Sequence, residues 1–440
     1  AAVSAASALH GATGAAASIL VTSNMVNSDV DAYIDFTTTG TLTVGGDLTI
    51  DAKDDAQVYA NTLLVASSTT SNNGGVSVAK NVLQAVSDRP FDFFSEDGVQ
   101  NLTFGKVIRV ANSHTAGGDA GSYYKYMGAG VNGLDLSTVD YSDIGYWYEI
   151  SDTKYIPEGL NISDSDSTAV GGLVVRNDVR SDVDAILKNA TANVVGNVTV
   201  NAVENAIIRA VVDAESSSSG GSAFGSGTSL AINAVISTNN VLSSADATIQ
   251  ASSVTTSGTG SDINVTADNT SFINARTIAL TSTGAEGGTG TLAINTIGWQ
   301  AQNILFQAVD TLIGANAIGT EQPAHVGAQI IDSTVNAKDA LVVTADNSAV
   351  IRATLGNETV SKAEALYGAS GLAVGVALSS NLVSTDVKAD IRSSNTTQRT
   401  ATAGAGGITV TAADDAEIIA NSKLKSISST MRLVSSSSSA

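Results

Sequence analysis

Asp47–Ala60 reads DLTIDAKDDAQVYA, and the pattern returns four times: NVTVNAVENAIIRA from Asn197, DINVTADNTSFINA from Asp262, ALVVTADNSAVIRA from Ala340 and GITVTAADDAEIIA from Gly407. In the first copy Leu48, Ile50 and Ala52 alternate with polar residues. After a polar turn at Asp54–Asp55, Ala56, Val58 and Ala60 resume the series, as Ile408, Val410, Ala412 and then Ala416, Ile418, Ala420 do in the last copy. A period of two with β-branched residues marks a strand with one buried face. Alanine closes both strands in every copy, which predicts a corner where only a methyl group fits.

A second segment precedes each copy: NMVNSDVDAYI from Asn24, NDVRSDVDAIL from Asn177, NNVLSSADATI from Asn239, NILFQAVDTLI from Asn303 and NLVSTDVKADI from Asn381. Gly/Ala-rich apolar stretches before these anchors, such as GLAVGVALSSN from Gly371, read as further flat strands. Ser/Gly tracts such as Glu215–Ser229 read as surface loops. The first segments start 150, 65, 78 and 67 residues apart. A unit of about 65 residues is short for a two-sheet sandwich of about 100, and outside residues 88–167 only eight aromatics are available as centres. The expected fold is all-β, an elongated parallel β-solenoid (β-helix), with tandem small β-sandwich modules as the alternative. At about three coils per unit and ~4.8 Å per coil, the array would be a rod of order 80 Å.

The first spacing is about 80 residues too long, because Gly74–Val86 begins another unit and Thr168 resumes the pattern. The expected organisation is therefore repeat units over 1–87, an inserted subdomain over 88–167 and repeat units over 168–440. The insertion holds 12 of the chain's 20 aromatics, with 13 acidic and 5 basic residues. Its densest part, Tyr123–Ile150, runs Tyr-x-Tyr-x-Gly, Leu-Asp-Leu, Asp-Tyr-Ser-Asp and an aromatic-Trp pair. This element resembles one that interrupts the arrays of giant secreted or surface-displayed β-repeat proteins of adhesin type in Gram-negative bacteria. The resemblance implies architecture and an extracellular or cell-surface location, and supplies no catalytic or ligand residues. A knob binding a glycan or cell-surface partner would use Tyr123, Tyr124, Tyr126, Asp140, Tyr141, Asp143 and Trp147. The competing reading makes the same rings the subdomain's own core.

Other chemistry is sparse. The chain has no cysteine, and His10, His114 and His325 lie far apart without metal-type spacing. A formal charge of −21 argues against nucleic acid, and no run of 18 uncharged apolar residues offers a membrane span. The turn pairs Asp54–Asp55 and Asp414–Asp415 correspond to Glu204–Asn205, Asn269–Thr270 and Asn347–Ser348, a mixture typical of side chains that cap turn amides. Asp31, Asp184, Asp246 and Asp310 recur at one position that Lys388 occupies in the last unit. No cofactor is expected; calcium is conceivable beside Asp135, Asp140, Asp143 and Glu149, yet the Gly-Gly-x-Gly-x-Asp nonapeptide of calcium-binding relatives is lacking. The expected function is structural and non-enzymatic, a stalk, adhesin segment or filament subunit. The rival is a polysaccharide-binding or -cleaving protein on the same scaffold. Neither end shows a capping element, so the array is expected to continue in a longer polypeptide or to stack end to end.

Overall fold

The computed structural model describes residues 2–7, 11–71, 91–103, 106–126, 130–142, 146–150, 165–220, 227–300, 320–365, 370–394 and 399–432. Its secondary structure is strand with one short 3-10 turn, and most pairings are parallel. Each repeat unit contributes to three sheets in turn. Unit one gives Ala12–Val44 to a long sheet, Leu48–Asp54 to a short sheet and Gln57–Ser71 to a return sheet. Unit two gives Ser165–Val194, Val198–Glu204 and Ile207–Ser219 in the same order.

Strands of the three sheets pair only with the matching strands of neighbouring units, and Ala2–Ser7 pairs with Ala66–Ser71 of unit one as the return strand of a preceding layer. In the short sheet Val198 lies between Leu48 and Ile263, Ile263 pairs with Leu341, and Leu341 with Ile408, the alignment expected from the repeated segment. In the long sheet Asn177 pairs with Asn24 and Asn239, Asn239 with Asn295, and Asn295 with Asn381. No unit closes on itself, as a sandwich module would. Each unit is also a single layer rather than three coils. Five layers at ~4.8 Å make a stack about 24 Å deep, not 80 Å.

Two excursions leave the layers. The first follows Ser71 of unit one, and its described strands between Phe93 and Ile150 pair only with one another. Strand Ser165–Val194 then starts three residues before the expected Thr168, with Ser165 opposite Ala12. The expected unit start at Gly74–Val86 lies outside the described residues. The second excursion was not anticipated. Ile297 pairs with Val241 and His325 with Ser244, and between them Trp299–Gln300 pairs with Thr320–Glu321 outside the long sheet. Asn295 is therefore the fourth asparagine anchor, not Asn303, and Gly327 occupies the position expected of Asp310. Asn303 and Asp310 lie outside the described residues.

Alternation puts the small apolar residues inside. Val183, Ala185 and Leu187 of the long sheet pack on Val198, Val200 and Ala202 of the short sheet, all buried. The paired alanines, Ala202 and Ala210 in unit two, lie inside these walls on either side of the turn, not at the corner itself. Beyond Val175 the interior thins. The first half of each long strand lies on the second half of a return strand through Ser, Thr, Gly and Ala. There Ser218 donates to the Ser167 carbonyl (2.9 Å), Ser229 to the Ser218 carbonyl (3.0 Å) and Thr359 to the Thr289 hydroxyl (2.8 Å). A hydroxyl buried with a partner costs little, so sheets this close can exclude water without bulky side chains.

Candidate functional site

The aromatic segment folds into its own small core. Tyr123–Tyr126 lies antiparallel between Val107–Arg109 and Trp147–Ile150. Tyr141 is the hub: its hydroxyl donates to the Leu136 carbonyl (2.9 Å), and its ring lies 4.7 Å from Trp147, 5.0 Å from His114 and 5.7 Å from Tyr124. Tyr126 meets the other side of Trp147 at 5.2 Å. Tyr123, Tyr124, Tyr126, Tyr141 and Trp147 are all buried. Four rings of the expected ligand set, Tyr124, Tyr126, Tyr141 and Trp147, thus face one another, and Tyr123 lies against Phe91 (6.0 Å) and under the Arg109 guanidinium (5.5 Å).

The acids of this segment are taken up locally. Asp140 is exposed and accepts from the Ser142 amide (2.9 Å) and hydroxyl, contacts that hold its carboxyl below the usual range. Asp135 does the same for Ser137. Asp143 lies outside the described residues. Gly117 (φ +138°) and Gly118 (φ +97°) carry the chain past this cluster, where a β-carbon would strike Asp140 or Tyr141. The subdomain leans on the outward face of the return sheet: the Arg209 guanidinium sits 4.2 Å over the Tyr146 ring and 5.6 Å over Tyr59. Burial, reinforced by Arg276 and opposed by Asp213, pushes the Lys125 ammonium down to about 8.

At the turn between short and return sheets, the first residue of each turn pair points inward. Asp54, Glu204, Asn269 and Asn347 are buried there. Asn269 donates to Asn347 (3.0 Å) and Asn347 to Asp414 (2.7 Å), while Asn269 and Asp414 also accept from the amides of Ser271 and Ala416. Ser181 from the opposite wall donates to Glu204 (2.5 Å) and, in alternation, to Asp54, which Ser28 also reaches. Burial, then the neighbouring Asp54, pushes Glu204 up to about 8. This is the turn-capping role expected of these residues, extended into a ladder across layers.

A further set of acids lies on the outward face of the long sheet. Asp31, Asp184 and Asp246 are in register on three successive strands, with Asp29 and Asp182 two residues away. Half-buried among these like charges, Asp184 is pushed up to about 6, chiefly by burial. His325 sits where the row ends, its ring nitrogens 3.3 Å from Asp246 and 3.1 Å from Asp386; the Asp246 contact is the main cause of its raised pKa. Among the described residues no three His, Asp or Glu side chains converge as a cation would require.

No family model, curated protein or solved structure matches the chain. Function is therefore read from geometry.

That geometry centres on a second ladder. Asn24 donates to Asn177 (2.8 Å), Asn177 to Asn239, Asn239 to Asn295 and Asn295 to Asn381 (each 2.7 Å). The middle members are buried. The recurrent Asn-plus-apolar segment carried this signal in the sequence, and only the fourth member was misplaced. His325 with Asp246 and Asp386 had no such cue, because its strand follows an excursion that shifts the frame. Among the described residues, no helix is long and apolar enough to cross a membrane.

Proposed function

We propose that the chain is a stretch of parallel β-solenoid acting as a structural, non-enzymatic rod outside the cell or at its surface, bearing the aromatic subdomain on its flank. The observation that carries this reading is the asparagine ladder, whose side-chain amides run in one direction through all five layers. At one end Asn24 has an acceptor oxygen to offer, and at the other the side-chain amide N–H of Asn381 makes, among the described residues, only a long contact to Ser379 (3.5 Å). Layer five, and the long and short strands of layer one, therefore present the groups that another layer would use, while the return strand of layer one already pairs with Ala2–Ser7. The inward residues of layer five agree: Ile408 is 48% exposed, whereas its partner Leu341 is fully buried. Covering Ile408, Val410 and Ile418 would contribute roughly 1–2 kcal/mol each. The next layer can come from the same polypeptide or from another copy. The subdomain closes on its own rings, which suits a decoration of the rod rather than a catalytic domain.

Electron microscopy of the purified chain over a concentration series tests this. Stacks with an axial repeat of ~4.8 Å and variable length are expected. Globular particles with antiparallel β signatures would overturn the reading. Discrete, uniformly short particles would confine extension to the parent polypeptide.

A further inference from the structure

The two outward faces of the thin arm differ. On the return-sheet side, Arg209, Arg276 and Lys125 lie between the sheet and the subdomain, and Arg209 and Lys125 are both engaged across that junction. On the long-sheet side the face is bare and apolar. Ile19 is 80% exposed, Val21 68%, Val376 62% and Val374 48%.

These side chains form a relief. One row across the five strands reads Ile19, Gly172, Ala234, Gly290, Val376, with small residues in its three middle layers. Two residues further along each strand runs Val21, Val174, Ile236, Leu292, Leu378, without a gap. A groove three layers long, closed at its ends by Ile19 and Val376, thus lies beside a continuous aliphatic ridge.

Nothing inside the monomer asks for the groove. A β-carbon built on Gly290 or Gly288 meets no atom within 4 Å, and neither residue has positive φ. Glycine weakens a strand, and where no bend or internal contact explains it, close approach of another backbone does.

We propose that this face is an interface between two copies of the chain, packed sheet on sheet with the ridge of each copy in the groove of the other. A two-fold axis along the stacking direction, lying between the sheets and midway between the two rows, exchanges ridge and groove. One surface then satisfies both partners, as an isologous contact requires. Under that operation Val174, Ile236 and Leu292 oppose the partner's Gly172, Ala234 and Gly290, Val21 and Leu378 meet the partner's Ile19 and Val376 at the two ends of the groove, and the two stacks run side by side in the same direction. The area suffices: five strands by eight residues is about 24 Å by 26 Å, on the order of 600 Å² per copy and 1,200 Å² in all, within the range of stable interfaces. The face also avoids the repulsion expected between copies of charge −21. Centred on that axis, the footprint Val170–Arg176 and its partners on the other four strands holds one charged residue, Arg176, which lies at the rim and is paired with Asp178 (2.7 Å).

Sedimentation velocity on the full chain over a concentration series, at moderate salt, tests the proposal. Dimers, and stacks built of paired chains where the ends also associate, are expected for the unaltered chain. Gly290→Lys, which the monomer accommodates, fills the groove with an ammonium and should weaken the dimer on the order of a hundredfold or more. Thr199→Lys, on the outward face of the short sheet, should leave it intact. Circular dichroism confirms that both variants keep the fold. Because the chain lacks cysteine, Gly290→Cys with Leu292→Cys should give a covalent dimer on oxidation. A wild-type chain that stays monomeric overturns the proposal, as does a twofold step in mass that survives Gly290→Lys; end-to-end stacking leaves this face uncovered, is indifferent to that substitution and shows as species of variable length. Capture by lipid vesicles without dimers would assign the face to another occupant and overturn it equally.

Discussion

Asn239 donates to Asn295 and accepts from Asn177, with all three side chains buried, so it shows what a single residue contributes to this scaffold. Replacing it with alanine leaves the Asn177 amide without an acceptor and the Asn295 oxygen without a donor. A buried polar group stripped of its partner costs more than an average hydrogen bond returns. Asn239→Ala should lower unfolding stability by about 2–4 kcal/mol in urea denaturation, and Asn24→Ala at the exposed end of the ladder by under about 1 kcal/mol. Equal losses would mean that the ladder does not act as a chain of buried bonds. A second residue-scale prediction concerns Gly118, where φ is +97° and an added β-carbon would lie 2.7 Å from the Tyr141 β-carbon. Gly118→Ala combines backbone strain with a clash at the aromatic hub. It should abolish the near-ultraviolet dichroism of the Tyr141–Trp147 cluster while the far-ultraviolet strand signal persists. Retained aromatic dichroism would show that the turn adapts.

At the scale of elements, the layers and the subdomain should separate cleanly, since no described strand of Phe93–Ile150 pairs with the three main sheets. The step from layer two to layer three shows the minimum connection: Ser219 pairs with Thr69 and Ser229 with Ser167, and nine residues, Gly220–Thr228, join them. Joining Thr69 to Ser167 through that same nine-residue sequence should give a cooperatively folding protein within about 1–2 kcal/mol of the parent. Loss of cooperative thermal unfolding would show that the subdomain holds layers one and two together. Much of the layering was legible in the chain. The five short-sheet strands came out in register because each carries the same in-out phase and a polar turn residue, Asp, Glu or Asn, at the same position. Two features did not. Period-two alternation says which face is buried but not where a strand ends, so a strand as long as Ser165–Val194 read as several short ones, and one layer was counted as three. In unit four NILFQAVDTLI matched the anchor pattern, while the true anchor, Asn295, stood just ahead of Gly298, whose φ of +76° starts the excursion. The aromatic segment was legible in composition only. Whether a ring faces its own core or a ligand depends on the packing around Tyr141, which spacing does not encode.

On the scale of the whole molecule, parallel stacking brings like residues into register, and for acids that is a liability written in pH. Asp31, Asp184 and Asp246 stack on the outer wall, and Asp54 and Glu204 on the inner one, in a chain of net charge −21. Glu204 is pushed up to about 8 and Asp184 to about 6, so for both groups the folded state holds its proton more tightly than the unfolded chain does. A raised carboxyl contributes its stability fully below the unfolded pKa and loses it as pH rises through the folded one. For Glu204 the loss runs from about 4.5 to about 8 and amounts to roughly 5 kcal/mol as an upper bound; for the half-exposed Asp184 it is smaller and complete near 6. Stability measured by denaturation at pH 4.5, 7 and 9 should therefore fall on each step. Glu204→Gln keeps an acceptor for Ser181 but cannot ionise, so it should remove most of the decline between pH 7 and 9 and exceed the parent at pH 9. Raising the salt should lift the curve of the parent at high pH, because the outer acid row is partly exposed and screenable, while the part due to buried Glu204 should stay. Parallel pH curves for the parent and Glu204→Gln would remove the inner carboxylate pair as the source of the slope and leave only the outer row.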